Sequence, residues 1–169
     1  MRTPCPQWSA AQLLTHLWCT AERYHRLLDA ALAGRPEPMP VNEELAALNE
    51  REVKNAASHS VSGTLALFES SATAYLERAV PHWRIAPFQI GGGCVGDAMG
   101  IAAIEWHIHA WDLSQAGGQD YRPDSAEVLR RCWVRAVPHL PIDRGGEPWS
   151  ALLAAADRNT RTPFKGKRT

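Results

Sequence analysis

Apolar side chains recur at helical spacing in one segment after another of this chain, and the segments end at prolines or glycines. The clearest run follows a capping box, in which Ser9 caps the helix and Gln12 bonds back to it. That run ends near Gly34, ahead of Pro36. Its apolar stripe, with positions three or four residues apart, consists of Leu13, Leu17, Thr20, Tyr24, Leu28 and Ala31. No strand pattern competes, so we predict an all-α fold.

Similar patterns predict five more helices and one extended segment. Asp124 is predicted to cap a helix that Pro138 ends. The other helices are predicted over residues 42–54, 58–79, 96–115 and 148–156, with a short extended segment over 83–90. The simplest arrangement is an antiparallel helix bundle. The length favours one domain over residues 1–160, followed by a polar tail over 161–169.

Composition excludes several function classes. Lysine plus arginine and aspartate plus glutamate each number 18, so no net charge attracts a nucleic acid. No apolar run reaches the length of a membrane span, and no secretory signal is visible, so we expect a cytoplasmic protein that does not enter a membrane. The four cysteines are widely spaced without a CxxC pair, which argues against a thiolate zinc site.

Glu105 and His109 are the most informative pair of polar residues. They are four apart in a predicted helix and therefore lie on one face, one turn from each other. A carboxylate and an imidazole so placed can both bind a metal such as zinc. His16, close to the apolar stripe of the first helix, is the candidate third ligand. If the two helices are neighbours, the three side chains can converge inside the bundle and leave an open coordination position.

Plainer interpretations remain open for each of these residues. His16 fits a hydrogen-bonded core histidine, and Glu105 with His109 fits a surface contact. His107 points about 200° away from His109 on a helix, so the two cannot share a metal. His107 is therefore interpreted as packing or as support for a ligand. Asp112, one turn from His109, either orients that imidazole or forms a local or interhelical bond.

Two motifs resemble those of a known family. Thr3-Pro4-Cys5-Pro6-Gln7-Trp8-Ser9, followed by Leu13-Leu14-Thr15-His16-Leu17, resembles the opening of DinB-like metal-binding proteins. Within them it is most similar to the branch of mycothiol-dependent maleylpyruvate isomerase. The segment from Glu105 to Leu113, with the pattern ExxxHxxDL, resembles the second signature of that branch. Together the motifs are fairly specific, although they cover only about a fifth of the chain.

The resemblance implies a DinB-like antiparallel four-helix bundle that binds a divalent metal, usually zinc. It implies His16, Glu105 and His109 as the ligands. Family enzymes bring a low-molecular-weight thiol, mycothiol in actinobacteria, to the metal, where it attacks an electrophilic small molecule. Arg51 is the counterpart of a family arginine that holds an acidic substrate; the alternative is a solvated surface arginine.

Two departures from the family shape further expectations. The chain starts almost at the first motif, so the bundle is expected to lack the family's usual first helix. The C-terminal helices or a second copy of the chain would then fill the gap, unless the start of the sequence is misplaced. A second copy over the exposed apolar face would make a homodimer. The family isomerase also has a separate C-terminal domain, for which little sequence remains here. A single-domain thiol transferase is therefore expected rather than an isomerase of maleylpyruvate.

Three functions follow from these expectations. The first is a zinc-dependent enzyme of the mycothiol-dependent isomerase or S-transferase type. The second keeps the metal but uses water or a substrate oxygen, as a hydrolase, cyclase or isomerase in secondary metabolism. The third is a non-catalytic bundle that binds a small molecule. Product analysis with and without thiol separates the first two, and ligand substitutions that change only stability would indicate the third.

Overall fold

The computed structural model describes residues 1–89 and 92–158. These residues form six α-helices and a short 3-10 helix, Val80–His82. The α-helices are α1 Ala10–Leu32, α2 Asn42–Asn55, α3 Val61–Ala79, α4 Val95–Ala116, α5 Ala126–Ala136 and α6 Pro148–Ala155. Within the described ranges there is no strand, only an isolated bridge that joins Arg2 and Ser9. The all-α prediction is confirmed, and the helices are consistent with a DinB-like helical bundle.

Local capping features mark some of the helix boundaries, whereas α2 and α5 begin without a side-chain capping bond. α1 is followed by Gly34, whose φ of 69° suits a residue without a Cβ. The Ser60 side chain accepts a hydrogen bond from the Gly63 amide and starts α3. The predicted cap Asp124 is wrong, because the residue before α5 is Ser125, and its side chain makes no capping bond. The two residues are adjacent and both are common caps, so the sequence alone did not separate them.

The extended segment predicted over residues 83–90 is also wrong in its described part. Its backbone bonds reach the start of α4 rather than a neighbouring strand. The Val95 amide donates to the Ile85 carbonyl at 2.9 Å, and the Gly96 amide donates to the Trp83 carbonyl at 2.8 Å. These bonds satisfy the polar backbone groups of the loop locally, which removes the need for strand pairing.

The described residues divide into two compact units, one that contains residues 1–10 and 100–158 and one within residues 11–99. In the unit formed by residues 11–99, aromatic side chains link α1 to α3 and to the loop before α4. The ring centroids of Tyr24 and Tyr75 lie 5.2 Å apart, and those of Tyr24 and Phe88 lie 6.3 Å apart. Leu13, Leu17 and Leu28 of α1 are also buried. Aromatic contacts of this kind add to the burial of the apolar surface.

The other unit has its own core on α4, α5 and α6. Its central side chains are Ile104, Ile108, Trp111, Leu129, Trp133, Trp149, Leu152 and Leu153. Gly100 allows α4 and α5 to approach closely, because a Cβ at this position would lie only 3.0 Å from Cys132 Cβ. This core fixes the rotation of α4 and thereby sets which of its polar residues lie outside the apolar face.

The organisation of the chain into a single domain over residues 1–160 stays a prediction. The predicted polar tail over residues 161–169 lies outside the described residues. Among the described helices, none combines the length and apolar character needed to cross a membrane.

α2 is held to α1 by a buried arginine. The Arg23 guanidinium forms an ion pair with Glu52 and donates a hydrogen bond to Asn49. The Arg23 side chain is only 5 % exposed, whereas α2 has no buried residue of its own. The attachment of α2 within this unit therefore depends more on these polar bonds than on apolar packing.

Glu52→Ala is expected to lower the free energy of unfolding by about 2–3 kcal/mol, because it leaves a buried guanidinium without its carboxylate. Glu50→Ala is the matched control, since Glu50 lies on the same helix and is exposed. Urea denaturation of both variants measures the difference. Equal stability of the two variants would contradict the role assigned to the ion pair.

Candidate metal centre

α4 carries two of the three predicted ligands. Glu105 and His109 are one helical turn apart on this helix, which starts at Val95 and ends before Gly117. Glu105 is half-buried, and the side chain of His109 is 12 % exposed. Both side chains therefore combine restricted motion with access from outside the core, as a ligand pair requires.

A buried carboxylate and an arginine lie behind His109. Asp112 Oδ2 lies 2.9 Å from Nδ1 of the His109 imidazole, and the Asp112 side chain is fully buried. Arg158 donates from Nε to Asp112 Oδ1 and from Nη2 to Asp112 Oδ2, both at 2.8 Å. Arg158 also donates from Nη1 to the Ala156 carbonyl at 2.9 Å. The two-point contact fixes the plane of the carboxylate, as paired arginine–carboxylate bonds do.

The charge of Asp112 determines the role of His109 in this chain of bonds. Burial alone would raise the pKa of the Asp112 carboxyl, but the hydrogen bonds from His109 and Arg158 outweigh burial and lower that pKa. An ionised carboxylate only accepts hydrogen bonds, so Nδ1 of His109 carries the proton. In the neutral imidazole, Nε2 then has the lone pair that a metal needs.

The N-terminal motif packs against the same histidine. Thr3 Oγ1 donates to the carbonyls of Cys5 and Trp8, and this closes the proline-flanked turn before α1. The Trp8 ring lies 6.5 Å from the His109 ring, centroid to centroid. Cys5 is buried, and its thiol donates to Gln7 Oε1 at 3.1 Å. Burial raises the pKa of the Cys5 thiol despite the nearby charge of Arg158, so Cys5 is a neutral packing residue.

His16 lies on the buried face of α1 and is only 2 % exposed. Leu13, Leu17 and Thr20 share that face. A histidine so completely buried within an apolar stripe requires polar partners. This requirement is met equally by a structural hydrogen bond and by coordination to a metal.

The residues His16, Glu105 and His109 form a His/Glu/His set that could bind a metal ion. Each offers one ligand atom, and these atoms lie within 4.8 Å of one another. Two imidazoles and a carboxylate are also a donor set that suits zinc and several other divalent ions. The residues therefore fit a divalent metal, whose identity they do not determine.

The two remaining predicted site residues lie in different surroundings. Nδ1 of His107 is hydrogen-bonded to the Tyr121 hydroxyl, and the rings stack with an interplanar angle of 22°. Burial lowers the pKa of the His107 imidazole. These contacts fit the packing interpretation of His107. Arg51 is exposed on α2. A role for His107 or Arg51 at the site stays a prediction.

Arg158 is the residue that sequence reasoning missed. It follows α6 in a polar stretch where no periodic pattern assigns it a partner. Its contact with Asp112 joins residues 46 positions apart. The only available signal was Asp112 itself, because an aspartate inside an apolar helix requires a compensating charge.

Comparison with known proteins agrees with this geometry. The sequence model of the mycothiol maleylpyruvate isomerase N-terminal domain matches residues 1–114, which include all three predicted ligands and Asp112. Searches of curated proteins and of solved structures gave no significant match. The family match covers 114 of the 169 residues. The chain therefore belongs to the family of the mycothiol maleylpyruvate isomerase N-terminal domain.

Proposed function

We propose that this chain is a metal-dependent enzyme of the mycothiol-dependent isomerase or S-transferase type. His16, Glu105 and His109 would bind the ion, for which zinc is our choice. A low-molecular-weight thiol, mycothiol or a close relative, would be the cosubstrate, and an electrophilic small molecule the substrate. The observation that carries the proposal is the His/Glu/His set, whose ligand atoms lie within 4.8 Å of one another in a chain of this family.

The chemistry requires a thiolate at neutral pH. A divalent ion supplies this when bound, because it lowers the pKa of a thiol that coordinates it. The thiolate sulfur then forms a C–S bond with the electrophilic carbon. In S-transfer the leaving group departs with the electron pair, whereas in isomerisation the C–S bond breaks again and the thiol is regenerated.

The residues of the chain prepare the site for this reaction. Asp112 holds the proton on Nδ1 of His109, so that Nε2 has the lone pair. The Trp8 ring lies beside the His109 imidazole, with the two ring centroids 6.5 Å apart. Cys5 does not compete as the nucleophile, because burial keeps its thiol neutral. In this proposal the thiol cosubstrate supplies the nucleophile.

Product analysis tests the proposal. The zinc-loaded protein is incubated with mycothiol and a panel of electrophiles, including maleylpyruvate, activated halides and unsaturated acids. We expect a thiol adduct or an isomerised electrophile that requires both mycothiol and zinc. Chelation is expected to abolish turnover, and added zinc is expected to restore it.

Two outcomes would contradict the proposal in different ways. Turnover that needs zinc but not thiol would indicate a hydrolase, cyclase or isomerase that uses water or a substrate oxygen. No turnover, together with ligand substitutions that change only stability, would indicate a non-catalytic binding protein. Glutathione in place of mycothiol serves as the control for thiol specificity.

A further inference from the structure

We infer that Arg158 is a positioning residue, which sets the metal affinity of His109 through Asp112. The inference rests on the proposed function, since it concerns one of the proposed ligands. Arg158 itself does not belong to the match with the family, which ends at residue 114. Its contribution is therefore a property of this chain's own C-terminal segment.

The contact between Arg158 and Asp112 holds the carboxylate in a fixed orientation. Arg158 bonds both oxygens of Asp112, each at 2.8 Å, while Asp112 Oδ2 also lies 2.9 Å from His109 Nδ1. A carboxylate held at two points cannot rotate about its terminal bond without losing an ionic hydrogen bond. Oδ2 therefore stays directed at the imidazole.

Both charged groups of this ion pair are largely shielded from solvent. Asp112 is fully buried, and the Arg158 side chain is 14 % exposed. Water has little access to either charge, so no solvent molecule readily replaces a lost partner. Without the guanidinium, the carboxylate would have to reorient or move toward other donors, and His109 would lose its fixed acceptor.

The orientation of the Asp112 carboxylate affects how well His109 binds a metal. A carboxylate that accepts from one imidazole nitrogen fixes the tautomer and makes the other nitrogen a better ligand. Loss of such support typically weakens metal binding about 10–100-fold. Arg158 does not contact His109 through these bonds but holds the Asp112 carboxylate that does, so it is one hydrogen bond further from the metal ligand. We expect an effect at the lower end of that range.

The test compares three full-length variants by two measurements. Arg158→Gln removes the positive charge and the paired guanidinium donors, whereas Arg158→Lys keeps the positive charge without the two-point contact to Asp112. Arg122→Gln is the matched control, because Arg122 lies in the same unit and forms an exposed ion pair with Glu147. Zinc affinity is measured by competition with a chromophoric chelator. The tautomer of His109 is measured in metal-free protein by ¹⁵N NMR of the histidine rings, with His109→Ala used for assignment.

Arg158→Gln is expected to raise the zinc dissociation constant about tenfold and to move the His109 ring signals from the Nδ1-protonated form toward a mixture. Arg158→Lys is expected to lie in between, and Arg122→Gln to match the natural protein. Folded Arg158→Gln protein with unchanged affinity and unchanged ring signals would overturn the inference. If the natural protein bound no zinc, the proposed function and the effect on metal affinity would both fail, whereas the ring signals would still show whether Arg158 fixes the tautomer of His109 through Asp112.

Discussion

Replacing Asp112 with alanine is expected to lower the free energy of unfolding of the metal-free protein by about 3–5 kcal/mol. Asp112 is fully buried, and it accepts bonds from Arg158 and His109. Alanine would leave the Arg158 guanidinium largely buried with no carboxylate beside it. Removing one partner of a buried ion pair destabilises the fold more than replacing both partners with apolar residues, because the remaining charge stays buried without compensation.

Urea denaturation measured by far-ultraviolet circular dichroism gives the change in stability. Asp120→Ala is the control, since Asp120 is an exposed aspartate of the same unit, and we expect a change below about 0.5 kcal/mol there. A double variant, Asp112→Ala with Arg158→Leu, is expected to recover part of the loss because it removes the orphaned charge. Similar stability of Asp112→Ala and Asp120→Ala would show that the buried ion pair does not stabilise this unit.

Glu105→Gln is expected to weaken metal binding by more than 100-fold while leaving the fold intact. The substitution keeps the size of the side chain but removes its negative charge, and an amide oxygen is a much poorer zinc ligand than a carboxylate. The expected loss exceeds the roughly 10–100-fold effect of residues that only support a ligand. Thiol-dependent turnover is expected to disappear with the metal.

Glu77→Gln provides the matched control, because Glu77 is exposed on α3. Zinc competition titrations and turnover with mycothiol are measured for both variants, and circular dichroism checks their folding. Unchanged zinc affinity in Glu105→Gln would exclude Glu105 from the ligand set. A lost fold rather than a lost metal would favour the interpretation of this residue as a structural contact.

Much of the fold was predictable because helix signals are local. The apolar stripe located α1, and the spacing of Glu105 and His109 placed both on one face of α4. The loop before α4 was not predictable, since its carbonyls accept hydrogen bonds from amides at the start of α4 that no periodic pattern connects to them. The start of α5 was misplaced by one residue, where two capping residues are adjacent.

The candidate site shows the same division between local and distant information. The motifs around His16 and Glu105 could be found from residue spacing and from the resemblance to a family. The ion pair that fixes Asp112 could not, because Arg158 is 46 residues away in sequence and belongs to no motif. Contacts that depend on tertiary packing leave no periodic trace in a single sequence.

The proposed metal site is tested most directly by the metal content of the purified, tag-free protein. Elemental mass spectrometry determines this content for the natural protein and for His109→Ala. His139→Ala is the control, because His139 is an exposed histidine of the same unit. We expect about one zinc or other divalent ion per chain in the natural protein and in His139→Ala, and none in His109→Ala. No metal in the natural protein after reconstitution, or equal metal in all three proteins, would contradict the proposed metal site.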